Sequence, residues 1–271
     1  MTAPLAAAIQ MVSGDDVAAN LVRARRLLEQ AAAAGARVAV LPENFAVFAA
    51  DERVKIGHAE PEDGGPLTAF LQEQAARLGL WVVGGTVPYV SNEPDRVRAA
   101  CLLVDDTGAV RARYDKIHLF DVQLSEDEGY RESVTIQPGE QPVVADTPFG
   151  PVGLAVCYDL RFPELFRILA DRGAEWVAVP SAFTRTTGAA HWEVLVRARA
   201  IEEQVAVVAP GQGGTHPGGR QTFGHSMAVD PWGGVLDRVS EGEGVALGAL
   251  DRDLLADVRR RLPAREHRRL W

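Results

Sequence analysis

The sequence predicts an α/β fold with four layers, an α-β-β-α sandwich built from two similar halves. Aliphatic runs alternate with segments of helical spacing in the order strand, helix, strand, helix, strand and hairpin, and this order occurs twice in the 271 residues. Helices that alternate with strands pack on a sheet, and two such halves can cover each other's free sheet faces. Neither half is followed by an obvious linker, so we expect residues 1–271 to form one domain.

The first half starts with an aliphatic strand and an Ala- and Leu-rich helix. We predict strands at 5–11, 37–41, 80–87, 99–104 and 109–114, and helices from Asp15 or Asp16 to near Gly35 and at 66–78. The turn at 105–108, with the sequence DDTG, joins the last two strands as a hairpin. The pair Gly84-Gly85 inside the third strand indicates a close approach of the backbone to another segment.

The second half repeats this order after a long polar and acidic stretch at 119–141. A stretch of that length without regular structure is typical of a functional lid or of a disordered segment. We then predict strands at 152–156, 205–209, 227–230 and 235–239, another that ends at Val179, and helices at 163–172 and about 191–204. The repeated order is the main reason to expect two similar sheets.

Three reactive side chains lie at or just after strand ends. Glu43 follows the second strand, Lys116 follows the first hairpin, and Cys157 ends the strand at 152–156 just before a helix. Ligands of open α/β sheets bind at the carboxyl ends of strands, so these side chains can meet at one edge. Considered alone, a cysteine in the position of Cys157 is more often an inert buried thiol, and a glutamate in the position of Glu43 is more often a surface residue.

The three residue types suit nucleophilic attack on an amide. A thiol at pH 7 is mostly protonated, so Cys157 needs a base, which Glu43 can supply, and a positive charge that favours the thiolate, which Lys116 can supply. The N-terminus of the following helix also favours a thiolate. Lys116 and the backbone N–H of Tyr158 can bind the oxyanion, and Glu43 can pass its proton to the leaving amine and then activate water.

Composition excludes several classes of function. The formal net charge of −9 argues against general binding of a phosphate backbone, so we expect no nucleic-acid partner. The six histidines lack metal-ligand spacing, so we predict no metal. No apolar run reaches the length of a membrane span, and Cys101 and Cys157 form no disulfide framework, so we expect no membrane partner and a cytoplasmic location.

Three motifs resemble the nitrilase superfamily of carbon-nitrogen hydrolases. They are LPEN around Glu43, YDKIHLFD around Lys116 and GLAVCYDLRFPE around Cys157, and the similarity continues through GHSMAVDPWG and LPAREHRR. The resemblance therefore covers essentially the whole chain. It implies a Glu-Lys-Cys triad that hydrolyses nitriles or amides through a thioester, the four-layer fold, no cofactor, and assembly into a homodimer or a higher homo-oligomer.

The resemblance also implies the residues that line the pocket. RESVTIQPGE matches the place where amidase branches carry a second glutamate, here Glu132. Tyr158, Arg161, Phe183 and Thr187 match positions of the pocket wall. From the residues alone, Glu132 is more simply a surface charge, and Arg161 is at least as readily an ordinary helical arginine paired with Asp159 or Glu164.

The branch within the family stays open at this point. HWEVLVRARAIE and GHSMAVDPWG are most similar to amidases that act on deaminated glutathione, and LFDVQ and YRES also resemble omega-amidases that act on 2-oxoglutaramate. Both substrates carry a carboxylate, for which Arg161, Arg185 and Arg199 are candidate partners. The glycine-rich loop GGTHPGGRQT departs from these relatives, which puts the leaving group in doubt.

Other classes of function compete with an amidase. An acyltransferase would use the same thioester with an acceptor other than water, and a nitrilase would act on a nitrile. A scaffold protein would keep the fold without catalysis, but the complete set Glu43, Lys116 and Cys157 argues against it. A redox role for Cys157 lacks a resolving cysteine nearby.

Overall fold

Two β-sheets lie face to face, and helices cover the outer face of each sheet. The computed structural model, which describes residues 2–270, thereby confirms the α-β-β-α sandwich that the repeated order of elements predicts. Its helices are α1 (Val17–Ala33), α2 (Pro66–Leu78), α3 (Pro163–Asp171), α4 (Arg185–Glu203) and α5 (Arg252–Arg261). Short 3-10 helices occupy Glu52–His58, Glu132–Val134, Cys157–Arg161 and Pro217–Gly219.

The first sheet is built mainly from the first half of the chain. Its strands are β1 (Leu5–Gln10), β2 (Ala36–Val40), β3 (Trp81–Val83), β4 (Val87–Val90), β5 (Val97–Val104), β6 (Val110–Asp115) and β15 (Gly244–Ala249). The order is β15-β1-β2-β3-β5-β4, with β6 also paired to β5. β1, β2 and β3 are parallel, whereas β15 runs antiparallel to β1 and brings a C-terminal segment into this sheet.

The second sheet follows the same plan. Its strands are β9 (Val143–Ala145), β10 (Val152–Leu154), β11 (Trp176–Ala178), β12 (Ala206–Ala209), β13 (Met227–Val229) and β14 (Val235–Arg238). The order is β14-β13-β12-β11-β10-β9, with β10, β11 and β12 parallel. β7 (Asp121–Gln123) and β8 (Gly129–Arg131) form a separate hairpin.

Alternation along the strands explains the layers. In β1, Ala6 and Ala8 pack into the core between the sheets, while Ala7 and Ile9 pack against the apolar faces of α1 and α2. Successive side chains of a strand point to opposite faces, so a strand that is apolar on both faces must be covered on both. This is why the strands read as continuous aliphatic runs rather than as an alternation with polar residues.

Several predicted boundaries are confirmed because the local signals are specific. The side chain of Asp16 accepts a hydrogen bond from the N–H of Ala19 at 3.0 Å, as expected of a residue that caps α1. The helix predicted at 66–78 has those bounds, with Pro66 in its first turn and Gly79 after it at φ 61°.

Other boundaries were wrong. The predicted strand at 80–87 is interrupted by Gly84 and Gly85, and β4 begins only at Val87 and pairs with β5. The predicted strand at 152–156 ends at Leu154, because Cys157 already begins a 3-10 helix. The predicted helix at about 191–204 begins at Arg185, since the side chain of Thr184 caps its first turn.

The stretch at 119–141 is not irregular. It contains the β7–β8 hairpin and the 3-10 helix at Glu132–Val134. The strands β9 and β15 were not predicted either. Both are edge strands, which carry a weaker pattern in the sequence than the central parallel strands.

Candidate active site

Cys157 lies in a strained turn at the carboxyl end of β10. Its φ is 49°, in the left-handed region that non-glycine residues rarely adopt and that costs roughly 1–3 kcal/mol. Its own N–H donates to the carbonyl of Pro180 at 2.9 Å, and the N–H of Ala182 donates to its Sγ at 3.5 Å. The segment that follows β11 therefore holds both the backbone and the thiol of Cys157.

Lys116 brings two glutamates together beside this thiol. Its Nζ donates to Oε1 of Glu43 at 2.7 Å and to both carboxylate oxygens of Glu132 at 2.8 Å. The Lys116 side chain is 1% exposed, and the carboxylate of Glu132 also accepts the N–H of Phe120 at 2.7 Å. One ammonium thus stands between two carboxylates in a nearly closed site.

The charges of this group determine the resting state of the thiol. Burial raises the pKa of Cys157 well above its ordinary value, the Glu43 carboxylate raises it further, and Lys116 opposes both. Burial alone would lower the pKa of Lys116, but Glu132 and Glu43 hold it well above its usual range. Burial raises the pKa of Glu132. The positive charge of Lys116 lowers this pKa, and the negative charge of Glu43 raises it. Burial and Glu43 thus oppose a thiolate at Cys157, whereas the two glutamates favour the charged form of Lys116.

The direction of the Cys157 pKa shift runs against the expectation of a resting thiolate. The predicted helix N-terminus does not lie at Cys157, because α3 begins only at Pro163. The nearby Glu43 carboxylate, together with burial, raises the pKa of the thiol instead of lowering it. Proton transfer to Glu43 therefore has to accompany attack by the sulfur.

Glu43 is held by segments from both halves of the chain. The residue after it, Asn44, has φ 58°, and its N–H donates to the hydroxyl of Thr86 at 2.8 Å. The side-chain amide of Gln212 donates to the carbonyl of Glu43 at 3.1 Å. Gly85 confirms the predicted close approach, since a Cβ there would lie 2.1 Å from the carbonyl oxygen of Pro42.

Asp159, predicted only as a possible partner of Arg161, is a buried carboxylate beside this site. Its two oxygens accept the Tyr114 hydroxyl at 2.7 Å, the Val156 N–H at 2.8 Å, and the N–H and Nδ1 of His118 at 3.1 and 2.6 Å. Tyr114 and His118 flank Lys116, and Val156 precedes Cys157. Asp159 therefore connects the segment that carries the lysine to the turn that carries the cysteine.

A solvent-open cavity borders these groups, with about 560 Å³ of empty space when its open mouth is included. The structure brings all the predicted site residues to its wall: Glu43, Lys116, Glu132, Cys157, Tyr158, Arg161, Phe183 and Thr187. Phe120 and Tyr130 line it as well, so the stretch at 119–141 forms part of the wall.

The structure distinguishes the three arginines that are candidates for binding a substrate carboxylate. Arg161 lines the cavity, but Arg185 and Arg199 do not. Arg199 is buried, with its Nε donating to the carbonyl of Leu160 at 3.0 Å. Arg161 forms no ion pair with a carboxylate among residues 2–270, so the alternative pairing with Asp159 or Glu164 was wrong.

Sequence reasoning missed a second group of cavity residues. These are Glu52, Lys55 and Arg220. Of these three, only Arg220 had a signal in the sequence, because it lies in the glycine-rich loop GGTHPGGRQT.

Residues 2–270 contain no group of three or more His, Cys, Asp or Glu side chains that could hold a metal ion. Within the same range, every helix is too short or too polar to cross a lipid bilayer.

Comparisons with known proteins agree with this geometry. The carbon-nitrogen hydrolase family model matches residues 5–260. Proteins named deaminated glutathione amidase are 43% identical over 265 residues in Yersinia enterocolitica, covering 97% of this chain and 92% of the relative. The one from Homo sapiens is 44% identical over 272 residues, covering 98% of this chain and 82% of the relative.

A solved structure is also similar. The crystal structure of the Caenorhabditis elegans NitFhit protein superposes with a TM-score of 0.91 at 34% identity. It covers 99% of this chain, which spans 66% of that protein's length.

Proposed function

Because this chain belongs to the carbon-nitrogen hydrolase family and is an amidase, we propose that Glu43, Lys116 and Cys157 hydrolyse an amide of a small 2-oxo dicarboxylic acid, of the deaminated glutathione type. One observation carries the assignment of the residues. The ammonium of Lys116 lies 2.7 Å from Glu43, and both line the same cavity as the Cys157 thiol.

The reaction begins with attack of Cys157 Sγ on the amide carbonyl carbon. Glu43 takes the thiol proton as the S–C bond forms, so no free thiolate has to persist in the buried site. The carbonyl oxygen becomes an oxyanion that the Lys116 ammonium and the N–H of Tyr158 stabilise. Glu132 keeps that ammonium in place through its two hydrogen bonds of 2.8 Å.

Collapse of this intermediate breaks the C–N bond. Glu43 gives its proton to the departing amine, which leaves the acyl group on Cys157 as a thioester. Glu43 then takes a proton from water as the water oxygen attacks the thioester carbon, and the sulfur leaves with that proton. The carboxylic acid is released and the thiol is restored.

The test follows the release of 2-oxoglutarate, ammonia and Cys-Gly from deaminated glutathione and from 2-oxoglutaramate. Cys157→Ala should abolish all release, whereas Cys101→Ala is the matched control, because Cys101 is buried between the sheets and does not line the cavity. Release of Cys-Gly by the wild type supports the deaminated glutathione assignment.

Other results would change the assignment. Ammonia from 2-oxoglutaramate without Cys-Gly release would make the protein an omega-amidase instead. Release that persists in Cys157→Ala would contradict the role of the thiol, and release of neither product would contradict the substrate class.

The proposal extends to assembly, domain organisation and location. Large apolar side chains are exposed on α4 and on the turn between β13 and β14, among them Val194 at 68% and Trp232 at 56%, which supports a homodimer or a higher homo-oligomer. The pairing of β15 with β1 supports one domain over 1–271. Two free buried cysteines suit a cytoplasmic location. Light scattering at several concentrations tests the assembly.

A further inference from the structure

The cavity wall carries a group of charges that the hydrolytic steps above do not use. Glu52, Lys55 and Arg220, here called the Arg220 cluster, all line the cavity. Glu52 pairs with Lys55 and accepts a hydrogen bond from Arg220 at 2.8 Å. The side chain of Lys55 is 7% exposed, so this is not an ordinary solvated surface pair.

The Arg220 guanidinium is fixed by its neighbours. It lies 4.9 Å from the ring centre of Phe48 and 4.7 Å from that of Tyr130. Its Nε is buried and has no hydrogen-bond partner among residues 2–270. A buried N–H without a partner is uncommon, so the guanidinium of Arg220 has hydrogen-bonding capacity that the described residues do not use.

Hydrogen bonds also fix the position of the backbone that carries Arg220. The carbonyl of Arg220 accepts the N–H of His216 at 2.9 Å. The buried imidazole of His216 bonds the carbonyl of Ser13 at 2.8 Å and the hydroxyl of Thr222 at 2.7 Å. The glycine-rich loop is therefore anchored on both sides of Arg220.

The Arg220 cluster has an excess of positive charge. Burial opposes ionisation of Glu52, but Lys55 and Arg220 hold the pKa of its carboxyl below the ordinary value. Two cations thus face one carboxylate, which leaves one positive charge for a ligand. An arginine with a free N–H prefers a carboxylate or a phosphate, to which it can donate two parallel hydrogen bonds.

A second cation lies elsewhere on the wall. Arg161 stacks over Tyr158 at 5.9 Å and over Phe183 at 5.4 Å and has no carboxylate partner among residues 2–270. The aromatic rings of Tyr130, Phe120 and Tyr158 lie between the two arginines. The ring centre of Phe120 is 5.3 Å from that of Tyr130 and 5.1 Å from that of Tyr158. The cavity therefore has two positive positions separated by an apolar wall.

The chain segments indicate which half of a substrate each position faces. Arg161 belongs to the same 3-10 helix as Cys157, the residue that receives the acyl group. The loop of Arg220 follows Gln212, whose side chain bonds the backbone of Glu43, the proposed proton donor to the leaving amine. The Arg220 cluster thus lies with the segments that hold Glu43.

We propose that the Arg220 cluster binds a carboxylate of the leaving amine, while Arg161 binds the carboxylate of the acyl half. This inference rests on the proposed function and narrows its substrate class. The enzyme selects amides that carry a carboxylate on both sides of the bond that is broken. Deaminated glutathione, which releases Cys-Gly, has both carboxylates, whereas 2-oxoglutaramate, which releases ammonia, has only the one on the acyl half.

The test compares the two substrates in four variants. Arg220→Gln should lower kcat/KM for deaminated glutathione at least tenfold more than for 2-oxoglutaramate. Arg161→Gln should lower kcat/KM for both substrates by similar factors. Arg37→Gln, at an exposed position of β2, is the control for loss of one arginine and should change neither. Arg220→Lys keeps the charge without the planar donor pair and should give an intermediate loss.

Equal losses with the two substrates in Arg220→Gln would overturn the assignment. Binding of deaminated glutathione to Cys157→Ala, measured by calorimetry, separates this inference from the proposed function. If the wild type shows no turnover but Cys157→Ala binds this compound at least tenfold more tightly than the double variant with Arg220→Gln, the proposed function fails and the carboxylate site stands. If the two bind equally or not at all, the carboxylate site is wrong.

Discussion

Replacement of Asp159 by asparagine should separate the two active-site segments without removing a reacting group. Asp159 is fully buried, and its two oxygens accept four hydrogen bonds, from Tyr114, Val156 and twice from His118. An asparagine side chain has only one acceptor oxygen. Its NH₂ group must therefore face the N–H of either Val156 or His118, a donor against a donor.

The size of the effect follows from these contacts. A buried backbone N–H left without a partner costs about 1–3 kcal/mol, and the loss of a charged acceptor weakens the remaining bonds. We expect the free energy of unfolding to fall by about 2–4 kcal/mol. At roughly 2–4 °C per kcal/mol for a chain of this size, Tm should fall by about 4–16 °C.

The rate of catalysis should fall because the relative position of Lys116 and Cys157 changes. Asp159 touches the residues that flank Lys116 and the one that precedes Cys157, so the distance between ammonium and thiol should increase. A displacement of about 1 Å at reacting groups can cost on the order of a hundredfold in rate. We therefore expect kcat of Asp159→Asn to fall roughly 10- to 100-fold with little change in KM.

The assay combines thermal unfolding with steady-state kinetics on deaminated glutathione. Asp106→Asn, at an exposed turn position, is the matched control and should leave Tm and kcat unchanged. An Asp159→Asn variant that is destabilised but keeps wild-type kcat would refute the connection between the two segments. A variant with unchanged Tm would refute the account of its hydrogen bonds.

Two further predictions use the backbone and a buried histidine. Gly85→Ala should lower both Tm and kcat, because its Cβ would lie 2.1 Å from the carbonyl oxygen of Pro42, next to Glu43, whereas Gly35→Ala, at φ 87° with open space around it, should lower Tm alone. His216 has a pKa lowered by burial, so its proton binds more readily in the unfolded chain. The free energy of unfolding should therefore fall as pH drops below about 6.5, and His216→Gln should flatten that dependence in urea titrations.

Either prediction can fail in a definite way. Equal losses of kcat in the two glycine variants would show that the close contact between Gly85 and Pro42 has no specific effect on catalysis. An unchanged pH dependence in His216→Gln would assign the loss of stability at low pH to other groups.

Periodicity and strand ends predicted most of the fold and the meeting of Glu43, Lys116 and Cys157 at one cavity. The parallel strands and α2 have strong patterns because they are buried on both faces or closed by Pro66 and Gly79. The bounds of α4 were missed because Thr184 is an N-cap without an acidic residue in the following turn. A cap of that kind resembles any threonine in a loop.

The charges around the reacting groups were harder to predict. The role of Asp159 was overlooked because its partners Tyr114 and His118 lie more than 40 residues away in the sequence, at separations of 45 and 41. The raised pKa of Cys157 depends on burial and on Glu43, which only the folded arrangement determines. Arg220 belongs to a loop whose glycines indicate flexibility, although hydrogen bonds hold it in one place.

The antiparallel pairing of β15 with β1 affects how the protein folds during its synthesis. Leu5 pairs with Ala249, so an edge of the first sheet stays open while almost the whole chain is synthesised. Contacts this distant in sequence slow folding, and an uncovered strand edge invites pairing with other chains. The nascent protein is therefore most exposed to aggregation on the ribosome until residues 244–249 emerge, and a chain that stops before them would keep that edge permanently.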